Sequence, residues 1–342
     1  MKVNVWNTIL QLSKERDVDK QVIINAIEES LKVAASNYFN ENEKAHIKFK
    51  PEKGELRVYS VKKITKKAKD PANEISLGEA KKIDVTAKQG NYIEIDLPSE
   101  TLGRIAAQAA KQVIFQKVRD AEQEKIYNTF APHIGSVITG VLRRFDPKRN
   151  MILGVKKAEV LLPEREKIPN EKFRRGDRIK GIITQVLKET KGPQVIISRT
   201  EKRFLKKLLE IEVPEIANKN IEIREIVRIP GERSKVSVST EEKDIDPIGA
   251  CIGVKGNRIL SISKELNGEK IDVIRWSENP EEYAKSALSP AKVKSINIAD
   301  KKNKILKAVV PEDQLSLAIG KKGLNVRLAS KLVGWKIDIE ND

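Results

Sequence analysis

Two stretches decide how this chain is read: "DPIGACIGVKGNRILSISKELNGEKIDVI", Asp246–Ile274, and "PEDQLSLAIGKKGLNVRLASKLVGWKIDI", Pro311–Ile339. Each holds Ile-Gly-x-x-Gly with at least one lysine between the glycines, then a helix-like run, then Lys-Ile-Asp, and the two loops stand 67 residues apart. The flanks repeat as well. The first copy reads helix ("RFLKKLLEIEVPEIANK"), strand ("NIEIREIVRI"), strand ("SKVSVST"), short helix, loop, helix, strand. The second reads helix ("PEEYAKSAL"), strand ("AKVKSINIAD"), strand ("KILKAVV"), short helix, loop, helix, strand. An αββααβ order that recurs together with its loop chemistry marks a duplicated structural unit. Only three residues lie between Trp276 and Pro280, where one copy ends and the next begins. No flexible linker fits there, so the two units are expected to pack as one rigid body.

A Gly-x-x-Gly loop between two helices has a definite physical use. Glycine lacks a Cβ, so another backbone can approach it closely. The helix that follows begins with amide N–H groups that have no intrahelical partner, at the positive end of its dipole. Lys255 in one loop, and Lys321 with Lys322 in the other, add charge at that mouth. The combination suits a phosphodiester backbone, with bases laid in the groove behind, and this is how KH units clamp about four nucleotides of single strand. The bland alternative is an αα turn whose glycines only cap helices. A nucleotide-binding P-loop needs Gly-x-x-x-x-Gly-Lys-[Ser/Thr], and that string is absent. In the helices after the loops, Ile259, Ile262 and Leu266, like Val326, Ala329 and Val333, recur as core faces. That leaves Arg258, Lys264, Arg327 and Lys331 for solvent or ligand, with Arg258 and Arg327 nearest the loops. Cys251 reads as a small buried apolar residue.

Composition fits that reading. Among 342 residues, 66 are Lys or Arg and 49 Asp or Glu, a formal net charge of +17, which predicts attraction to polyanions. Aromatic residues make up 4%, which suits several small cores better than one large one. A single cysteine allows no internal disulfide and suits a reducing cytoplasm, and with only His46 and His133 an ordinary His/Cys zinc site cannot be assembled. The opening "MKVNVWNTILQLSKERD" lacks a signal-peptide core, and no run of about 18 apolar residues predicts a membrane span. No Gly-x-Ser-x-Gly, His-Glu-x-x-His or placed Cys/His pair occurs, so neither catalysis nor a cofactor is expected.

Upstream, residues 131–200 carry "GSVITGVLRRF", "NMILGVKKAEVLL", "GDRIKGIITQVL" and "PQVIISR", short β-rich runs that predict a small closed barrel of OB type. Gly135/Gly140 and Gly176/Gly181 are read as strand bends. Arg143, Arg144, Phe145 and Lys148 are the barrel's candidate strand-binding residues, in keeping with a basic groove plus stacked aromatics. Phe173 is the other aromatic, and a spacer barrel with a solvated basic rim is the alternative.

Residues 1–130 predict a head. "DKQVIINAIEESLKVAASNYF" sets Val22, Ala26, Ile27 and Val33 on a helical stripe, with Asp19 as N-cap. A hairpin turns at Gly54, a strand covers "NYIEIDL", and a long helix follows with Ser99 as N-cap and Leu102, Ile105, Ala106, Ala109 and Val113 on its apolar face. "VKKITKKAKD", 61–70, is read as a flexible charged loop. The whole chain is then a multidomain α+β protein: head and connecting helix 1–130, barrel 131–200, first KH unit 201–278, second KH unit 279–342.

That order, with "IPNEKFRRGDRIKGIITQV", "DPIGACIGVKGNRI", "GEKIDVIRWSENPEEYAKSALSPAKV" and "VVPEDQLSLAIGKKGLNVRLASKLVGWKIDI", resembles the NusA family of bacterial transcription elongation and termination factors. The match spans the chain and is closest over 131–340. The resemblance implies a cytoplasmic, monomeric factor whose head docks on the RNA polymerase core and whose barrel and KH units receive nascent single-stranded RNA. It also implies effects on pausing, intrinsic termination and, with other antitermination factors and ribosomal proteins as partners, antitermination. The RNA-binding loops carry over as Gly253, Val254, Lys255, Gly256 and Gly320, Lys321, Lys322, Gly323. The acidic C-terminal repeats of some members have no counterpart before Asp342, so their contacts are not carried over. A ribosome-associated protein coupling transcription to translation is the alternative. A phosphorolytic ribonuclease would need a large catalytic region ahead of its binding modules.

Overall fold

The computed structural model describes residues 45–50, 55–96, 99–190 and 192–342, together with six isolated positions before residue 45. The chain forms two compact units, Met1–Lys125 and Ile126–Asp342. In the first, positions 21, 24, 25, 28, 29 and 33 are helical, as the stretch's periodicity predicts, although Val33 faces solvent instead of a core. Asp19, Val22, Ala26, Ile27 and Gly54 lie outside the described residues. Strand β1 (Ala45–Lys50) pairs antiparallel with β2 (Glu55–Thr65), which also pairs with β3 (Glu74–Ser76) and β4 (Tyr92–Asp96). The "VKKITKKAKD" run is therefore not a loop throughout: β2 continues to Thr65, because Ile64 is fully buried with Ile75, Ala80 and Ile93. Its lysines hide one anchoring isoleucine.

Helix α1 (Leu77–Ile83) begins at a capping box that lysine density obscured. Ser76 accepts from the Glu79 N–H and Glu79 reaches back to Ser76, which lowers the Glu79 pKa. Helix α2 (Ser99–Phe130) is continuous over 32 residues and includes Ser99 itself, one position from the expected cap. The side chains of Leu102, Ile105, Ala106, Ala109 and Val113 lie outside the described residues.

The second unit opens with the last turn of α2, whose Phe130 is buried in the barrel core with Ile126 and Tyr127 packed beside it. Strands β5 (Val137–Phe145), β6 (Met151–Val155), β7 (Ala158–Leu162), β8 (Arg178–Val186) and β9 (Val195–Ser198) close in the order β5-β6-β7-β9-β8. Leu142, Leu153, Val160, Ile179, Ile183 and Ile197 fill the interior. Gly140 and Gly181 are not bends. They are places of close approach, where a Cβ would come within 2.9 Å of Leu153 Cβ and 2.8 Å of Ile197 Cδ1 respectively. The strands bend instead at the register shifts between Leu142 and Arg144 and between Ile183 and Gln185.

The repeated unit follows twice. The first copy is α3 (Lys202–Glu212), α4 (Pro214–Ala217), β10 (Glu222–Ile229), β11 (Arg233–Ser239), α5 (Pro247–Ile252), α6 (Asn257–Glu265) and β12 (Lys270–Arg275). The second is α7 (Pro280–Ala287), β13 (Ser295–Asp300), β14 (Ile305–Val310), α8 (Glu312–Ile319), α9 (Leu324–Val333) and β15 (Lys336–Asn341). In each sheet the first two strands are antiparallel and the last two parallel. The expected single helix through "EIEVPEIANK" breaks at Val213, since Pro214 offers no N–H and disfavours helical backbone before it.

Barrel and first copy share a core. Ile168 and Ile182 pack with Phe204, Leu205, Leu208 and Leu209 of α3. Across that junction lies Arg199, 2% exposed, bonded to Glu171 (2.6 Å), to Glu265 (2.9 Å) and to the carbonyls of Lys180 and Glu265 (2.6 Å each). The Phe173 and Phe204 rings flank its guanidinium at 5.6 and 5.4 Å. Burial opposes that charge, but the two glutamates outweigh it and keep the pKa above its ordinary value. The two copies are fused in turn. Ile274 of β12 belongs to the second copy's core, and α9 lies against β10 and β11. Lys235, wholly buried, donates to Asp272 Oδ2 and to the Ser289 carbonyl, both at 2.9 Å.

Candidate nucleic-acid interface

The two Gly-x-x-Gly loops have the same backbone. Gly253 and Gly320 leave α5 and α8 at φ 77°, ψ 174° and φ 75°, ψ 168°, a region that essentially only glycine occupies. Lys255 and Lys322 follow at φ 52° and 55°, in the left-handed region that L side chains seldom adopt. Gly256 and Gly323 then sit left-handed at φ 77° and 69° and open α6 and α9. Each turn closes with the second glycine's N–H donating to the first glycine's carbonyl at 3.0 Å. Gly320 is also sterically required, since a Cβ there would fall 2.8 Å from the Asn325 backbone nitrogen, whereas a Cβ at Gly253 would meet only the side chains of Asn257 and Arg258.

Around this frame, Lys255, Lys321, Lys322, Arg327 and Lys331 are exposed. Val254, in the first loop, is 79% exposed. Arg258 is placed differently from expectation. Its guanidinium pairs with Glu215 at 2.9 Å and donates to the Ala250 carbonyl, so it ties α6 to the end of α5. The equivalent residue of the second copy, two positions after the second glycine, is Asn325. It is buried, and its amide donates to the carbonyls of Leu288, Leu317 and Ala318. Both residues act as clasps that hold the loop's two helices together. Aligning the two copies position by position would have shown that this site holds Asn in one copy, which argues against a charge-dependent role there.

Sequence reasoning also missed Ile252 and Ile319. Each is the last residue before its loop, each is 38% exposed, and each offers an apolar surface beside the glycines. The core faces fall where expected, with Ile262, Leu266 and Ala329 buried and Leu328 and Leu332 added to them. Cys251 is fully buried behind the first loop, and burial pushes its thiol up to about 12.

On the barrel, Arg143, Phe145 and Lys148 are exposed at the end of β5 and the turn after it. Arg144 is committed to the protein: it binds both oxygens of Glu159 at 2.5 and 2.9 Å, which raises its own pKa and lowers that of Glu159. Phe173 is no stacking platform, since it packs on the barrel core beneath Arg199. Among the described residues no group of three His, Cys, Asp or Glu could hold a metal ion, and no helix is long and apolar enough to cross a membrane.

Comparison with known proteins agrees with this architecture. Residues 4–124 match the NusA N-terminal domain, residues 199–276 the NusA-like first KH domain, and residues 280–342 the NusA-like second KH domain. The chain is 45% identical over 342 residues to a transcription termination/antitermination protein NusA of Halalkalibacterium halodurans, covering 100% of this chain and 89% of that protein. It is 43% identical to the protein of that name from Bacillus subtilis, over 100% of this chain and 92% of that protein. For the Thermus thermophilus protein of that name the identity is 40%, over 96% and 87%. A five-stranded OB-like barrel, two KH units in tandem and relatives of this similarity along the full chain lead to one statement: the chain belongs to the NusA family of transcription termination/antitermination proteins.

Proposed function

We propose that this chain is a non-enzymatic RNA-binding transcription factor. Its head, 1–130, anchors it to the RNA polymerase core. Its barrel, 131–200, and KH units, 201–278 and 279–342, hold nascent single-stranded RNA in the cytoplasm. Track and anchor together bias hairpin formation and the dwell of the polymerase, and so modulate elongation, pausing, intrinsic termination and antitermination. The observation that carries this reading is the pair of loops with one backbone, each placing an unpaired lysine in a left-handed conformation at the mouth of a helix. Exposed ammonium groups beside helix N-termini attract phosphates, and the exposed Ile252 and Ile319 provide apolar surface for bases.

The test is RNA affinity by fluorescence anisotropy. The logarithm of the association constant should fall with that of salt concentration, at about −0.7 per neutralised phosphate. Changing both loops to Gly-Asp-Asp-Gly (Val254→Asp, Lys255→Asp, Lys321→Asp, Lys322→Asp) should abolish binding with the circular dichroism spectrum unchanged. Undiminished affinity in that variant would refute the clamp assignment. Purified RNA polymerase core should co-elute with the chain. Sedimentation with ribosomes in preference to polymerase would favour a translation-coupled role.

A further inference from the structure

The two loops share a backbone but not a surface. Counted from the second glycine, Lys255 corresponds to Lys322, Lys264 to Lys331 and Ile252 to Ile319, so these positions are matched. Val254, however, stands where the second copy has Lys321, and Leu260 where it has Arg327. Leu260 is 62% exposed, and its side chain lies over the loop: a Cβ at Gly256 would be 3.8 Å from Leu260 Cδ1, whereas nothing lies within 4 Å of the same position at Gly323. Arg258 adds no free charge to the first mouth because Glu215 and the Ala250 carbonyl hold it. Behind the mouth the second copy is the more apolar, with an exposed Leu317 one turn before its loop where the first has Ala250, so the first copy's apolar excess is confined to the mouth.

We propose, resting on the RNA reading above, that the two loops do different jobs on one strand. The second loop, with Lys321, Lys322 and Arg327, is a charge-driven anchor that grips phosphates whatever the bases. The first loop, with Val254 and Leu260 around a single lysine, packs its apolar lip against a nucleobase and discriminates by base. Long-range attraction belongs to the second loop, where three cations add their fields. Apolar contact is short-ranged and nearly indifferent to salt, so it acts on RNA already captured. The bases facing Val254 and Leu260 therefore set the preference of the pair.

The full chain would be titrated with single-stranded oligoadenylate and with an RNA of equal length carrying abasic sites, at several salt concentrations. Val254→Ala with Leu260→Ala should weaken binding of the base-bearing RNA about 10-fold at every salt concentration, as expected for partial burial of two aliphatic side chains. It should leave the salt slope and the abasic affinity unchanged. Lys321→Ala, Lys322→Ala and Arg327→Ala together should weaken both RNAs alike and flatten the salt slope by about 2. The reciprocal change, Val254→Lys with Leu260→Arg, should steepen the slope and narrow the gap between the two RNAs. The division of roles is overturned if the double alanine variant binds both RNAs as the unaltered chain does, or loses affinity equally for both. If the unaltered chain binds neither RNA, the RNA reading itself fails, a result distinct from either. All five side chains are exposed, so folding is not at stake.

Discussion

At the scale of single residues, the loop glycines are unequal. Gly320 has both a backbone conformation closed to L side chains and the Asn325 backbone in the space a Cβ would fill, whereas Gly323 is left-handed with open space around it. Gly320→Ala should therefore cost about 3 kcal/mol and Gly323→Ala about 1 kcal/mol, read from urea midpoints. Cys251 offers a second test. Its thiol stays protonated in the folded chain to about 12, against an ordinary 9.0. The unfolded chain ionises first, so this contribution is fully present below pH 9 and declines as pH rises towards 12, by about 1.4 kcal/mol per unit at most. The stability difference between the unaltered chain and Cys251→Ala should shrink over that window, and iodoacetamide should fail to label the folded protein at pH 8.

At the scale of elements, the structure rewards some kinds of sequence pattern and hides others. The duplicated αββααβ order, the barrel strands and the apolar faces of α6 and α9 were legible because period and repetition survive any tertiary context. The hairpin pattern running to Ile64 and the lysine-rich loop reading of 61–70 compete over "VKKI", and buried Ile64 decides for the strand. The α1 capping box was present in Ser76-Leu77-Gly78-Glu79 but stood inside a stretch dominated by charge. At the candidate site the glycines and lysines could be read directly. The clasp role of Arg258 could not, because it depends on Glu215 arriving from α4, 43 residues away in sequence. Its counterpart gives the prediction at this scale. Asn325 supplies three carbonyls with donors from a fully buried position. Asn325→Ala should lower stability by about 2 kcal/mol in chemical denaturation. Asn325→Asp should be worse still, because it turns a carboxylate towards those carbonyls.

At the scale of the second compact unit, three modules behave as one because polar groups are buried where they meet. Arg199 joins barrel to first KH unit, and Lys235 joins first to second. No pattern in the sequence marks either residue, since a buried charge is recognised only by the partners that tertiary structure brings to it. Arg199→Met would strand Glu171, whose side chain is 4% exposed, and should cost about 3–5 kcal/mol. Calorimetry should then show the barrel melting apart from the KH pair, and Arg199→Met with Glu171→Gln should recover part of the loss. The fusion of the KH units through Ile274 and Lys235 has a consequence for any polymer that visits both. Once one end is held, the other meets its site at a local concentration fixed by geometry, because the protein contributes no slack of its own. Avidity should accordingly peak sharply at one separation between gripped segments and fall on either side. Oligonucleotides whose two ends are joined by inert spacers of graded length would trace that peak, so the molecule works as a ruler laid along the strand.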